Sequence, residues 1–196
     1  MSNSELPLFP LGRAVLPGAR LKLQLFEQRY LKLIRKCLAD EEGFGIVGLK
    51  SGGEAVADSE FYSAGCRVRI DDWDQLQNGL LGISVSADQP FVVKTACQNE
   101  DGLWLAEVEW LRDDWPERSS QSDFASDYRG LIDLYESLAA HSGAPVNPVE
   151  DAAILGWAIA SILPLSNEDF SELLMECNPL KRLECLALKI DQLSMR

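Results

Sequence analysis

The spacing of apolar side chains changes once along this chain, and the change limits the folds open to it. Up to Trp110 the apolar residues recur mainly at every second position. Beyond it they recur at every third or fourth. The first period presents one face of a strand and the second one face of a helix. The chain should therefore be of the α+β class, with its strands grouped early and most of its helices late.

In the early part Leu6 to Phe9 is a short apolar run closed by Pro10, and Leu21, Leu23 and Leu25 alternate with Lys22 and Gln24. One helix interrupts this pattern. Tyr30, Leu31, Ile34, Cys37 and Leu38 form a helical stripe, and Gly43 is the expected stop. Strands resume at Phe44 to Leu49, and Ser51-Gly52-Gly53 reads as a turn. Val68 and Ile70 alternate with Arg67, Arg69 and Asp71. Asn78-Gly79 signals a hairpin leading into Leu81 to Val85. Phe91 to Thr95 and Leu103 to Leu111 form a further pair, joined by a turn ending Glu100-Asp101-Gly102. Short strands at such intervals predict a small barrel or sandwich.

Residues 112–123 are polar and contain Pro116, which predicts a linker between residues 1–111 and a helical part at 124–196. Four helices are expected in the latter. Phe124, Tyr128, Leu131, Tyr135 and Leu138 mark the first. Asn147-Pro148 with Glu150 offers a start for the second, through Leu155 and Ile159 to Pro164. Ser166 with Asp169 starts the third, and Asn178-Pro179 the last.

A chain of 196 residues, 46% hydrophobic and 25% charged, can bury a substantial core. No apolar run reaches the roughly 18 to 20 residues that span a bilayer, and Met1 to Gly12 does not resemble a signal peptide, so a cytoplasmic protein is expected. The net charge of −13 is uneven. Residues 1–70 hold ten Lys/Arg against eight Asp/Glu, or +2, which leaves −15 on residues 71–196. That part repels phosphate backbones and anionic lipid, so neither nucleic acid nor membrane is an expected partner.

Candidate chemistry is sparse. Cys37, Cys66, Cys97, Cys177 and Cys185 are scattered with no C-x-x-C pair, and His141 is the only histidine. A disulfide framework, a metal site or a cofactor is not expected, and the thiols read as small buried hydrophobes. Asp71, Asp72 and Asp74 lack the spacing and turn glycine of a calcium loop, and Asp113-Asp114 reads as a charged linker. His141 sits where it can meet helix-terminal carbonyls, and no nucleophile accompanies it. The nearest string to a phosphate-binding loop, Gly48-Leu49-Lys50-Ser51, has a leucine between glycine and lysine and fails the pattern. The tryptophans are better candidates. If Val68 and Ile70 face the core, alternation turns Trp73 outward beside Arg67 and Arg69, an arrangement common in binding hot spots. Trp115, in the expected linker, is a second candidate. A bulge would turn Trp73 to the other face, and Trp115 would be structural if it packed between the two parts.

Leu6-Pro7-Leu8-Phe9-Pro10-Leu11-Gly12, then Val15-Leu16-Pro17-Gly18, then Leu21, Leu23, Leu25, Phe26 and Arg29, resemble the opening of the substrate-binding N-terminal domain of Lon-type proteases. Phe44 to Val47, Gly65 to Ile70 and Leu80 to Val85 are similar to its next strands. Leu163-Pro164-Leu165, Leu173-Leu174 and Arg182-Leu183-Glu184 are similar to its helical tail. The resemblance implies a PUA-like small β-barrel with one inserted helix, followed by a bundle of about four helices. It also implies a module that binds unfolded or extended polypeptide, or a protein partner, acting as an adaptor, regulator or holdase. Nothing resembles the ATPase or serine-lysine protease of a full Lon enzyme, so no catalysis is expected. Two other readings stay open: a small-molecule sensor with a pocket between barrel and helices, by analogy with cereblon relatives, and an RNA-binding PUA-like protein, which the acidic charge disfavours.

Overall fold

A computed structural model describes residues 5–51, 60–114, 128–142, 149 and 151–194. The fold is mixed α+β. Six strands, β1 (Leu6–Leu11), β2 (Arg20–Leu25), β3 (Phe44–Ser51), β4 (Glu60–Gln75), β5 (Leu81–Gln98) and β6 (Trp104–Trp110), share one sheet. Among the described residues there are five helices: α1 (Gln28–Asp40), α2 (Arg129–Ser142), α3 (Ala152–Ile162), α4 (Asn167–Met175) and α5 (Pro179–Ser194). The chain forms two compact units. One joins residues 1–111 with 166–175, and the other joins 112–165 with 176–196.

The sheet runs β2-β5-β4-β3-β1-β6, and β6 pairs with β5 as well. Only β1 and β3 are parallel. Leu81 to Val85 and Phe91 to Thr95, expected as separate strands, are one 18-residue strand, β5. Pro90 is tolerated inside it because a register shift at Asp88 bends the ladder there, and its carbonyl accepts from the Leu111 N–H at 2.9 Å. Both β5 hairpins turn alike. Gly79 donates to the Leu76 carbonyl and Gly102 to the Asn99 carbonyl, each with φ near +80° (81° and 75°), a conformation that favours glycine.

Helix α1 buries Tyr30, Leu33, Ile34 and Cys37 against one face of the sheet, with Phe44, Ile46, Val68, Ile83 and Val85. Each large apolar side chain so buried contributes about 1.5–3 kcal/mol. The helix stops at Glu41, left-handed at φ 55°, whose successor Glu42 donates to the Cys37 carbonyl. Gly43, the expected stop, has another purpose: a Cβ there would lie 2.4 Å from the Val68 carbonyl oxygen. The other face of the sheet buries Leu6, Leu8, Val47, Phe91 and Ala106.

Of the four helices expected to group together, α4 belongs to the sheet's unit. Its capping pair is the one expected. Asp169 accepts from the Ser166 N–H, and the Ser166 hydroxyl accepts from the Asp169 N–H. The next residue, Asn167, explains the placement. Its Oδ1 accepts from the Ala14 N–H at 2.8 Å, and its Nδ2 donates to the carbonyls of Gly12 and Leu49, each at 2.9 Å. One side chain thus fastens α4 to the β1–β2 connection and to β3.

In the second unit α3 starts later than expected. Its N-cap is Asp151, which accepts from the Ile154 N–H at 2.9 Å, while Asn147 and Pro148 lie outside the described residues. Asn178 caps α5 as expected, accepting from Leu180 and Lys181. The centre of this unit is a buried charge. Arg182 is 1% exposed, lies 3.7 Å over the Trp157 ring, and donates to the Glu176 carbonyl and to Asp113 at 2.8 and 2.7 Å. Asp113 is therefore a counter-ion and not a solvated linker charge, and Asp114 is fixed beside it by a bond to the Cys177 carbonyl. No helix among the described residues is long and apolar enough to cross a membrane.

Two outcomes follow from this bonding. Asn167→Ala removes the hydrogen bonds to the Ala14 amide and to the Gly12 and Leu49 carbonyls and should lower stability by about 2–4 kcal/mol in urea melts. Asp113→Ala strands the Arg182 charge and should cost about 3 kcal/mol, whereas adding Arg182→Met in the same chain should recover most of the loss, measured as a double-mutant cycle.

Candidate functional site

The free end of β2, β5 and the first hairpin carries the most exposed tryptophan among the described residues. Trp73 is 58% exposed. In antiparallel pairs, directly opposed residues share a face. Ile70 opposes Val85, Asp72 opposes Ser84, and Trp73 opposes Ile83, so β4 gains one residue between Ile70 and Asp72. This bulge puts Trp73 on the face of Ile70, Val85 and Ile83. Simple alternation predicts the reverse. Ile83 in turn opposes Leu23 of β2, so Trp73, Ile83 and Leu23 form one cross-strand row. Burial fades along β4 from Val68 through half-buried Ile70 to Trp73, which leaves the indole in water.

Arg67 and Arg69 lie on the opposite face, by their pairing with Gln89 and Ser86. Both are engaged by Asp88. Arg67 donates through Nε and Nη2 to its two carboxylate oxygens at 2.9 and 2.8 Å, and Arg69 lies 2.7 Å from it. Partial burial pushes the Asp88 carboxyl up, but the Arg67 hydrogen bonds and the charges of Arg67 and Arg69 outweigh this and hold it below the usual carboxylate range. The Arg67 guanidinium also lies 5.3 Å from the ring centre of Trp110, which packs edge-on against Phe91. The structure thus does not bring Trp73 together with Arg67 and Arg69. Trp115 lies outside the described residues. Trp110 has no distinguishing mark in the sequence, because its contacts depend on the β5–β6 register.

Lys22, Gln24, Asp72, Trp73, Asp74, Leu76 and Gly82 are among the residues lining an open cleft of about 300 Å³. The acids are tied to the hairpin. Asp72 accepts from the Trp73 amide, Asp74 from the Gln75 amide, and Asp71 from the Ser86 hydroxyl. Among the described residues no three His, Cys, Asp or Glu side chains gather as metal ligands. His141 Nδ1 lies 2.7 Å from the Ser137 carbonyl at the end of α2. Cys37 and Cys66 are buried, and burial pushes the Cys37 thiol up to about 11 and the Cys66 thiol higher, so neither forms a thiolate readily. Against expectation Cys97 and Cys185 are exposed and Cys177 is half-buried. This surface offers an aromatic ring, an edge strand and a polar cleft.

Comparison with known proteins agrees with this picture. The model of the ATP-dependent protease La (LON) substrate-binding domain matches residues 5–191. No curated protein sequence matches. The crystal structure of a Lon N-terminal domain protein from Xanthomonas campestris is 32% identical, with a TM-score of 0.75 over 94% of this chain and 98% of its own. The N-terminal domain of a Mycobacterium avium complex Lon protease is 16% identical and shares the fold, with a TM-score of 0.67 over 93% and 95% of the two chains. The chain belongs to the Lon substrate-binding domain family.

Proposed function

We propose that this protein is a non-catalytic polypeptide-binding module, an adaptor or holdase that engages unfolded or extended chains in the cytoplasm. Family membership supplies the ligand class. The observation that carries the proposal on this chain is Trp73, a large ring left 58% in water at the end of a sheet whose outer strand, among the described residues, pairs on one side only. Such a ring offers a partner apolar area at little entropic cost. The return of β6 to β5 supports reading the sheet as a small barrel of the PUA-like kind. The acidic charge of residues 71–196 supports a protein ligand over a nucleic acid. Neither a phosphate-binding loop nor a serine-lysine pair supports an enzymatic reading.

The test is titration of a labelled, permanently unfolded client against wild type and Trp73→Ala. Truncating the anchor should weaken binding by about 2 kcal/mol, roughly thirtyfold, with the circular dichroism unchanged. Equal affinities would remove Trp73 from the site, and no binding by wild type would sink the polypeptide proposal. Purified protein should show neither ATP hydrolysis nor casein cleavage, and cleavage abolished by a point mutation in this chain would overturn the non-catalytic assignment.

A further inference from the structure

Strand β2 ends the sheet order and, among the described residues, pairs with β5 alone. The Ala87 N–H donates to the Ala19 carbonyl, and Arg20 opposes Ser86, so residues 19, 21, 23 and 25 bond to β5. The intervening N–H and C=O groups, those of Arg20, Lys22 and Gln24, point away from the sheet. Among the described residues nothing bonds to them. This row spans about 15–20 Å of strand with no strand neighbour among the described residues.

The side chains along that row are ordered by face. Arg20, Lys22 and Gln24 are exposed on the polar side, while Leu21 and Leu23 are half-buried on the apolar side. No ion pair involves Arg20 or Lys22 among the described residues. A lysine on an edge strand discourages apolar and basic strands from pairing. It favours a strand that sets carboxylates opposite it. A second copy of β2 fits poorly. Antiparallel pairing with matched faces puts Lys22 opposite itself, Arg20 or Gln24, and no register yields a pair of opposite charges.

We propose that β2 recognises its polypeptide by strand addition, and that it selects extended segments in which acidic and apolar residues alternate. The acidic side chains lie against Arg20 and Lys22, the apolar ones lie against Leu21 and Leu23, and the outward backbone groups of Arg20, Lys22 and Gln24 complete a ladder with the client. This inference rests on the polypeptide-binding function proposed above and names the segments that the site takes.

The probes are eight-residue peptides followed by fluorescence anisotropy on the full chain: one alternating Glu and Val, one alternating Lys and Val, and one with the Glu/Val residues blocked instead of alternating. A copy of the first carries N-methyl groups on the amides that would meet β2. The alternating acidic peptide should bind about five- to tenfold more tightly than the other two sequences, and N-methylation should abolish its binding. Lys22→Glu, at an exposed position that leaves the core intact, should invert the preference towards the basic peptide. Hydrogen exchange should slow at the amides of Arg20, Lys22 and Gln24 when the acidic peptide is added. Undiminished binding of the N-methylated peptide, equal affinity for the acidic and basic peptides, or a dimer paired through β2 would overturn the proposal. If any of these occurs while the unfolded client still binds and Trp73→Ala still weakens it, strand addition falls and polypeptide binding stands. If the client binds nowhere, both fall.

Discussion

The sheet depends on the pairing of two long strands, β4 and β5, and on where that pairing slips. Together they contribute 16 and 18 residues, and every other strand except β1 pairs with one of them. An unbroken ladder of that length would keep each strand's faces constant throughout. Two register shifts break it. The first, at Asp88, bends β5 around Pro90 and puts one carboxylate between Arg67 and Arg69. The second, before Asp72, reverses the faces of the hairpin end and carries Trp73 to the apolar side. Polar fixation and aromatic exposure fall on opposite faces because one bulge lies between Ile70 and Asp72.

The helical elements show how little contact is needed to reassign an element. Helix α4 lies between two helices of the other unit in sequence, yet three hydrogen bonds from Asn167 and the buried side chains of Phe170, Leu173 and Leu174 place it with the sheet. The amide of asparagine suits this position because it both donates and accepts. It bonds one N–H and two carbonyls, so the loop before β2 is held by a residue about 150 positions later. Arg182 serves the second unit in a comparable way, with the added cost of a charge out of water. Asp113, the Glu176 carbonyl and the Trp157 face offset that cost.

Much of this architecture is visible in local sequence. The change from period 2 to period 3.6 locates the end of the sheet near Trp110, and β6 does end there. Ser166 with Asp169, and Asn178 before Pro179, mark helix starts because capping depends on neighbours within three residues. Asn78-Gly79 marks a hairpin because only the turn's own backbone is involved. The features that escape are those set by distant partners. A bulge adds a residue without changing residue types, so Ile70 to Asp74 reads as an unbroken alternation and the arginines fall beside Trp73. Asp113 sits in a polar stretch, and nothing near it announces an arginine 69 residues away. The family, by contrast, is legible because its motifs keep their order over nearly the whole chain.

The bulge also bears on how binding at this end is organised. Trp73 stands two strand spacings from β2, about 10 Å, with Ile83 between it and Leu23 of the edge strand. A strand added to β2 does not displace the indole and meets it only through apolar side chains on the shared face. Asp72 and Asp74, on the other face, lie at a similar distance from the edge. A separation close to the Debye length at physiological salt screens much of their repulsion for an acidic client, whereas Arg20 and Lys22 would be in direct contact with it. In the proposed mode the edge would supply backbone pairing and a charge preference, and the ring would supply apolar area that tolerates many sequences. With the original alternation, indole and arginines would have formed a single patch. With the bulge, the apolar and charged groups of the proposed site lie on opposite faces of the same three strands, and an alternating segment is the kind of client that would engage both.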